Sequence, residues 1–575
     1  MKNLEIAKIL YNIADILELQ EVPFKPQAYR RAALAIENLA EDIAAVAARG
    51  ELITIPGVGE SIAEKIEEFL KSGKVRHYEQ LKKEIKIDFE QLSSIPGLGP
   101  KKMKVLYQQL GVKNLADLEK VISSGKLQAV PGFGEETAKN LLQGIQLVKS
   151  RPKRFLYAQA APMVQEILQK FRTHPFVQKI EIAGSFRRGK ETVGDLDFLV
   201  ISNQSEKVMA AFTAMAEVKE VLAKGTTKAS VRLSNGLQLD LRVLHPKEWG
   251  SALLYFIGSK EHNVELRKLA LSKGYTLSEY GLFVLPGKKR HPGKKWVAGR
   301  NEEEIYQKLG VDYMEPEIRE NTGEIAAAQK HTLPKLVTAK DINGVFHNHS
   351  TWSDGSNSLL EMAQQAETLG FKFISFNDHF GHMGITNPLN EKRLSGYLRE
   401  IEKVRKKVSI RVFSGVEIDI LKDGTLPLSP TKLKELDVVI ASVHVSQKMP
   451  EAEMTGRVCR ALEEYPVNIL GHPTGRLLNV REPIALNLEK VFEVAKHRNV
   501  FLEINAQPPR MDLNGMQVKA GQQAGCKFAL STDAHSLVGL SFYHYGLLSA
   551  RRGWLEKKDL LNCWNLPKIE KVMEK

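Results

Sequence analysis

Cysteine is scarce: the 575 residues contain three, Cys459, Cys526 and Cys563, far apart and without ligand spacing. That excludes a zinc finger and implies a reducing compartment. No apolar stretch approaches the length that spans a bilayer, and the N-terminus has charges inside its apolar pattern and no cleavage-site signal. A cytoplasmic protein with no membrane partner is expected. Acidic charge is in deficit, with 68 Asp+Glu against 82 Lys+Arg, a net charge of +14 and a pI near 9.3. Nearly all of the deficit lies in residues 1–340, where 52 Lys+Arg face 41 Asp+Glu; residues 341–575 carry 30 against 27. A basic excess of this kind favours a polyanionic partner. The length allows about three or four domains of roughly 100–200 residues, and a 43% apolar, 26% charged composition is that of an ordinary globular chain.

The chain is organised around Gly184-Ser185-Phe186-Arg187-Arg188-Gly189, closely followed by Val193-Gly194-Asp195-Leu196-Asp197-Phe198-Leu199-Val200. On a strand of period two, Asp195 and Asp197 share one face while Leu196, Phe198 and Val200 face the core. Two carboxylates so placed repel unless a cation lies between them. A pair of divalent ions about 3.5–4 Å apart, held by such acids, clamps the attacking and leaving oxygens of an in-line phosphoryl displacement. Gly184-Ser185 offers backbone N–H groups and a hydroxyl to phosphate oxygens, and Arg187 and Arg188 neutralise their charge. A lone Asp-x-Asp is more often an acidic edge strand, but the whole run is far more specific and points to nucleotidyl transfer.

The run resembles the palm motif of family X DNA polymerases. That resemblance implies that Gly184, Ser185, Arg188 and Gly194 bind the incoming triphosphate and that Asp195 and Asp197 are catalytic ligands of two ions, magnesium or manganese. The third carboxylate is expected on a neighbouring strand, and Asp240, which shares the polar face of residues 237–243 with Gln238 and Arg242, completes the triad. Tyr255-Phe256-Ile257-Gly258-Ser259 resembles the family's Tyr-Phe-x-Gly segment, which closes over the nascent base pair and crowds the sugar 2′ position. By the same match Tyr255, Phe256 and Gly258 bind the nucleotide, and Asn263 and Arg267 align with minor-groove contacts.

Upstream, a short element occurs three times: Ile55-Pro56-Gly57-Val58-Gly59, Ile95-Pro96-Gly97-Leu98-Gly99 and Val130-Pro131-Gly132-Phe133-Gly134. Glycines here permit a tight turn and let N–H groups at a helix N-terminus approach a phosphate whatever the base. One copy is also a common helix-to-helix turn; three in tandem, the helix-hairpin-helix pattern, make a DNA-backbone grip through Gly57, Gly59, Gly97, Gly99, Gly132 and Gly134. Residues 1–81 also resemble the family's small lyase domain, whose basic pocket matches Phe24-Lys25-Pro26-Gln27-Ala28-Tyr29-Arg30-Arg31. Lys25 and Tyr29 are then DNA contacts, and Lys65 falls at the Schiff-base position. Ser61 replaces a second lysine usual there, and the other readings of Lys65 are a solvated helix lysine or a 5′-phosphate contact.

Nine of the fifteen histidines lie after residue 340. Seven apolar, strand-like runs end at or near His, Asp or Glu, with amphipathic helical stretches between most of them, which predicts a parallel barrel with polar residues at its C-terminal rim. Mixed His/Asp/Glu without Cys suits zinc, manganese or iron. The pattern resembles the PHP domain, named for polymerase and histidinol phosphatase. The resemblance implies the ligand set His347, His349, Asp354, His379, Glu417, His444, His472, Asp533 and His535, holding three ions, zinc or manganese, with Glu417 bridging two. Arg476 and Arg510 on rim loops are candidate contacts to DNA phosphates.

The order of parts is that of bacterial and archaeal family X DNA polymerases with a C-terminal PHP domain. The expected fold is multidomain α+β and α/β: a lyase-like helical domain (1–81) and a fingers-like helical domain (82–150), a mixed-sheet nucleotidyltransferase palm (151–245), a thumb (246–315), a linker (316–340) and a distorted (β/α)7 PHP barrel (341–575). The resemblance implies a monomeric repair polymerase that fills gapped or primer-template DNA from dNTPs, with a metal-dependent 3′–5′ exonuclease or phosphoesterase. A nucleotidyltransferase acting on RNA or a small molecule shares the Gly-Ser and Asp-x-Asp pattern, and the three hairpins and Tyr255-Phe256 argue against it. A PHP domain hydrolysing small phosphoesters stays open.

Overall fold

The computed structural model describes residues 2–37, 43–85, 87–93, 95, 98–134, 137–138, 141–142, 145, 154–285, 295–381 and 386–574. The first helix, Lys2–Leu19, buries Ile6, Leu10, Ile13 and Leu17 along one face. That face meets the helix Lys25–Glu37 and also Pro100–Leu110, and Lys104 pairs with Glu21 at 2.7 Å. One hydrophobic cluster therefore runs from Ile6 to Ile145, and the boundary expected near residue 81 is not a break in the core.

The three repeated turns share their hydrogen bonds at equal offsets. Val58, Leu98 and Phe133 donate to the carbonyls of Ile55, Ile95 and Val130, and Ala63, Met103 and Ala138 donate to those of Gly59, Gly99 and Gly134. Gly59 and Gly99 are the N-caps of the helices Glu60–Ser72 and Pro100–Leu110. Gly57 and Gly132 have φ of +81° and +86°, which a side chain would strain. Gly97 lies outside the described residues.

The palm is a five-stranded sheet in the order Lys179–Ile182, Asp195–Ile201, Gln238–Leu244, Lys228–Leu233, Val218–Lys224. Leu196, Phe198 and Val200 on one central strand and Leu239 and Leu241 on the other fill the core beneath it. The next unit sets the helices Trp249–Ile257, Lys260–Ser272 and Glu302–Leu309 against a three-stranded sheet.

Residues 316–340, expected as a linker, are instead packed. Buried ion pairs anchor the segment together with scattered apolar residues, Ile318, Ala328 and Leu336, that join the neighbouring core without a regular period. Arg319 is fully buried, with Nη1 2.5 Å from Glu302 and Nε donating to the Met314 carbonyl at 2.9 Å. Glu324, also buried, faces His262 Nδ1 at 2.7 Å and accepts the backbone N–H groups of Asn321 and Thr322. Removing one member of such a pair strands the other charge, at a cost of about 3–5 kcal/mol. Arg319→Ala is expected to lower the urea midpoint of the unfolding transition that involves this unit, read by tryptophan fluorescence.

The C-terminal part is a ring of parallel strands: Gly344–Asn348, Phe373–Phe376 continued by Asp378–Phe380, Arg411–Phe413 continued by Gly415–Asp419, Val438–Ser442, Ile469–Leu470, Phe501–Asn505 and Phe528–Ala534. Each pairs with the next, and the last pairs back onto the first. Two strands are interrupted, at Asn377 and Ser414. Asn377 is buried and bridges its interruption: its Oδ1 accepts the His347 N–H at 3.1 Å and its Nδ2 donates to Val438 O at 3.3 Å.

Candidate active sites

Asp195–Ile201 and Gln238–Leu244 run parallel with Asp197 beside Asp240 in register, so the three palm carboxylates project from one face. Ser230, opposite Asp240 on the next strand, donates its hydroxyl to Asp240 Oδ1, and Gln238 Nε2 donates to Oδ2 at 3.1 Å. Burial, then the charges of Asp195 and Asp240, push Asp197 up to about 7. Burial and Asp240 raise Asp195 as well. Three acids that cannot all ionise comfortably together are a donor set that fits divalent cations.

A cavity of about 520 Å³ opens beside this face. It gathers the nine residues expected to bind nucleotide, Gly184, Ser185, Arg188, Gly194, Tyr255, Phe256, Gly258, Asn263 and Arg267, together with Asp195 and Asp197. Asn263 Nδ2 donates to Tyr255 O at 2.7 Å and Arg267 Nε to Asn263 O at 3.1 Å, tying the second helix to the aromatic pair. Arg242 lies over the Phe256 ring at 4.7 Å. Sequence reading missed three cations of this cavity, Arg154, Lys190 and Lys260; Lys190 and Lys260 directly follow the motifs at 184–189 and 255–259, and Arg154 is brought in by the fold alone. Gly184 has φ of +63°, and a Cβ there would collide with Asp197 Oδ2. Gly184→Ala is expected to displace that carboxylate and reduce single-nucleotide insertion by about 100-fold or more, since misplacements of about 1 Å have such costs; steady-state insertion kinetics check it.

In the helical region Lys65 Nζ donates to Ser61 O and Oγ at 2.9 and 3.0 Å. Burial holds Lys65 below the ordinary lysine range and Lys25 adds to the effect, against Glu64 and Glu68. His77 is lowered by burial and by both lysines, which places Lys25, Lys65 and His77 in one basic cluster. Tyr29, expected as a DNA contact, does not belong to that surface: its ring is 7% exposed and packed in the helical core, where an apolar body at helical spacing is drawn.

At the barrel rim the nine expected ligands converge. Three overlapping groups form, His349, Asp354, His379 and His535; His347, His349 and Asp533; and His379, Glu417 and His444. His472 stands beside the third, with Nε2 2.9 Å from Glu417 Oε1 and 3.2 Å from His444 Nε2. Glu417 separates two sets: Oε2 faces His347 and His379 at 3.2 and 2.8 Å, and Oε1 faces His444 and His472 at 3.1 and 2.9 Å. Donor atoms around an ion with arms of about 2.0–2.2 Å sit about 2.8–3.6 Å apart, from octahedral to tetrahedral angles, so these separations fit metal coordination. Both nitrogens of His349, His347 Nε2 and Asp354 Oδ1 are buried without a hydrogen-bond partner, as donors awaiting a cation would be. The imidazoles are electrostatically divided: burial, His535 and His379 drive His349 down to about 3, whereas carboxylates outweigh burial and hold His444 and His535 up at about 9.

Two carboxylates of this centre were missed. Glu503 lies 2.5 Å from His347 Nδ1 and accepts the His472 backbone N–H, and Asp419 lies 2.6 Å from His444 Nδ1. Each fixes the tautomer and ring direction of an imidazole whose other nitrogen faces the centre. The signal was present: Glu503 lies within a strand run, Phe501–Asn505, and Asp419 shares the face of Glu417 two residues away. Arg510 reaches the centre, Nε 3.5 Å from Asp533 Oδ2. Arg476, expected beside it as a DNA contact, is instead 8% exposed, donates to the carbonyls of Arg510 and Met511, and faces Glu191 at 3.8 Å. Its guanidinium is occupied in shaping the loop that carries Arg510.

Family models match the chain in the same order: a helix-hairpin-helix domain at 1–75, a SAM-like helix-hairpin-helix tandem at 89–146, a DNA polymerase beta palm at 156–242, a DNA polymerase beta thumb at 252–320 and a PHP domain at 346–507. The chain is 33% identical to the DNA polymerase/3′-5′ exonuclease PolX of Bacillus subtilis over 100% of both chains. It is 28% identical to rat DNA polymerase lambda over 55% of this chain and 56% of that one. A probable phosphatase of a Thermoanaerobacter species is 25% identical over 40% of this chain and 93% of its own length. Among the described residues no helix is long and apolar enough to cross a membrane. With a palm triad, a nucleotide-sized cavity and a rim of metal-type ligands on one chain, and a relative alike from end to end, the chain belongs to the family X DNA polymerases that carry a C-terminal PHP domain.

Proposed function

We propose that this chain fills short gaps in DNA by adding dNTPs to a primer 3′ end in the palm and removes 3′-terminal nucleotides at the barrel rim. The observation that carries the reading is the register of Asp197 on Asp240 beside a cavity that collects Ser185, Arg188, Tyr255 and Asn263. Ser185 and Arg188 hold the triphosphate. Tyr255 and Phe256 pack against the sugar and crowd its 2′ position, and Asn263 and Arg267 face the minor groove. Asp195, Asp197 and Asp240 hold two magnesium or manganese ions, which would lower the pKa of the primer hydroxyl and neutralise the departing pyrophosphate.

At the rim the nine His, Asp and Glu ligands hold zinc or manganese, which would activate a water and neutralise the phosphate under attack. Three ligand groups correspond to three ions, and Arg510 binds the scissile phosphate. The open rim accepts a single-stranded or mismatched 3′ end more readily than a paired one, and His-rich ligands favour manganese over magnesium. The division of labour follows the chain: residues 1–81 and 82–150 grip DNA, 151–245 form the palm, 246–315 the thumb and 341–575 the nuclease. Lys25 and Lys65 contact a 5′-phosphate; a Schiff base at Lys65 is the second use of the same cluster. The protein works as a monomer in the cytoplasm, the compartment that holds a bacterial or archaeal chromosome.

The test is a 5′-labelled primer on gapped DNA with magnesium or manganese. Extension with dNTPs and shortening without them are expected, faster shortening occurring with manganese and on single strands. A protein that extends only RNA, or leaves the primer untouched with dNTPs, contradicts the reading. Because the hairpins meet phosphates through backbone groups, binding is expected to fall steeply with salt and to depend little on sequence. Deleting residues 1–150 is expected to weaken gapped-DNA binding by about tenfold or more and to flatten the salt dependence. Fluorescence anisotropy across a salt series checks this, and unchanged affinity would make the hairpins simple helix connectors.

A further inference from the structure

Glu320 joins the two halves of the molecule. Three cations surround its carboxylate: Arg188 Nε at 2.9 Å, Lys190 Nζ at 3.2 Å and Arg552 Nη1 at 3.1 Å. Arg188 and Lys190 line the nucleotide cavity, whereas Arg552 belongs to the barrel helix Tyr543–Arg552. Arg552 Nη1 also donates to the backbone carbonyl of Arg188 at 3.1 Å, so it reaches Arg188 both directly and through Glu320. Arg188 Nη1 donates to the Ile257 carbonyl. With Nε and one N–H of Nη1 engaged, its planar fork is fixed and donors remain for an anion in the cavity.

The charge balance matters as much as the geometry. Glu320 alone would neutralise Arg188; two further cations keep the cluster positive. Arg552 is 6% exposed in its side chain and Glu320 15%, so water screens the interaction weakly. The contact between the two halves is built around this point. Gly189, with φ of +66°, lies against Leu548, where a Cβ would come within 2.9 Å of its side chain. Phe186 stacks on Tyr157 at 4.3 Å, and Tyr157 meets Tyr545 edge-on at 6.1 Å.

We propose that Arg552, acting through Glu320, holds Arg188 in the orientation that receives the triphosphate, so that the barrel sets the nucleotide affinity of the palm. This rests on the reading of Arg188 as a triphosphate ligand. Arg552 touches no reacting atom and is a positioning residue.

Steady-state insertion of one dNTP into gapped DNA by the full-length protein tests it. Arg552→Ala is expected to raise KM for dNTP about tenfold and to leave kcat within about twofold. Its exonuclease rate on single-stranded DNA stays at the wild-type level, which shows that the barrel is folded. In a Glu320→Ala background the same substitution is expected to change KM less than about twofold, because the direct bond from Arg552 reaches only the Arg188 main-chain carbonyl and the route to its guanidinium is already cut. An unchanged KM in Arg552→Ala, or the full effect persisting without Glu320, overturns the proposal. Arg188→Ala separates the two readings: an unchanged KM there sinks the triphosphate role itself, whereas a raised KM in Arg188→Ala beside a normal one in Arg552→Ala removes only the relay. Should Arg552→Ala lose its exonuclease, Arg552→Gln, which keeps the volume and a donor, replaces it under the same two criteria.

Discussion

Asp197→Asn is expected to slow single-nucleotide insertion by about a thousandfold or more while the exonuclease continues at the wild-type rate. Asp197 sits beside Asp240 in register and on the same strand face as Asp195, so it is the central member of the triad. Its carboxyl is pushed up to about 7 by burial and by those two neighbours. The sign of the linkage supplies a second readout. A carboxyl raised in the folded state stabilises fully below its unfolded value near 4, and that contribution is lost as pH rises through 7. Without divalent ions the wild type is therefore expected to lose stability between pH 4 and 8 relative to Asp197→Asn. Added magnesium is expected to raise the melting temperature of the wild type at pH 8 more than that of the variant. Equal insertion rates would remove the triad assignment.

Glu417→Ala is expected to abolish 3′-end shortening, by about a thousandfold, and to leave insertion untouched. Its two oxygens face different imidazoles, Oε2 towards His347 and His379 and Oε1 towards His444 and His472. Its carboxyl is held well below the usual range because His347, His444 and His379 outweigh burial. Removing it leaves four imidazoles facing one another with no anion between them, so metal content is expected to fall as well, which elemental analysis of the purified variant reads directly. His347→Ala empties the same region from the other side and should behave alike. Shortening that survives Glu417→Ala at a normal rate would place the nuclease elsewhere.

The acidic palm face and the His-rich rim were legible because period-two strands leave a clear pattern. Asp195-Leu196-Asp197-Phe198 and Leu239-Asp240-Leu241 declare both their core and their acidic sides, and strand runs ending in His or Asp declare a common rim. Pairwise support was harder to read. Asp419 orients His444 from the neighbouring strand, whereas Glu503 orients His347 from a strand that is not its neighbour, a contact that strand order alone does not supply. Arg154 enters the nucleotide cavity only through tertiary packing. Residues 316–340 read as a connector because they lack sustained apolar periodicity, whereas Arg319 and Glu324 are buried against Glu302 and His262 and Ile318, Ala328 and Leu336 join the neighbouring core. Tyr29 and Arg476 failed in the same way: a tyrosine or arginine in a basic motif was read as facing DNA when its partners were a helical core and two carbonyls.

The central claim is that synthesis and removal occur at two separate centres on one chain. A single gel assay with a 5′-labelled gapped primer, run with and without dNTPs for the wild type, Asp197→Asn and Glu417→Ala, tests it most directly. Asp197→Asn should only shorten the primer, Glu417→Ala should only extend it, and the wild type should do both. Loss of shortening in Asp197→Asn, or loss of extension in Glu417→Ala with its fold intact by circular dichroism, would contradict two independent centres.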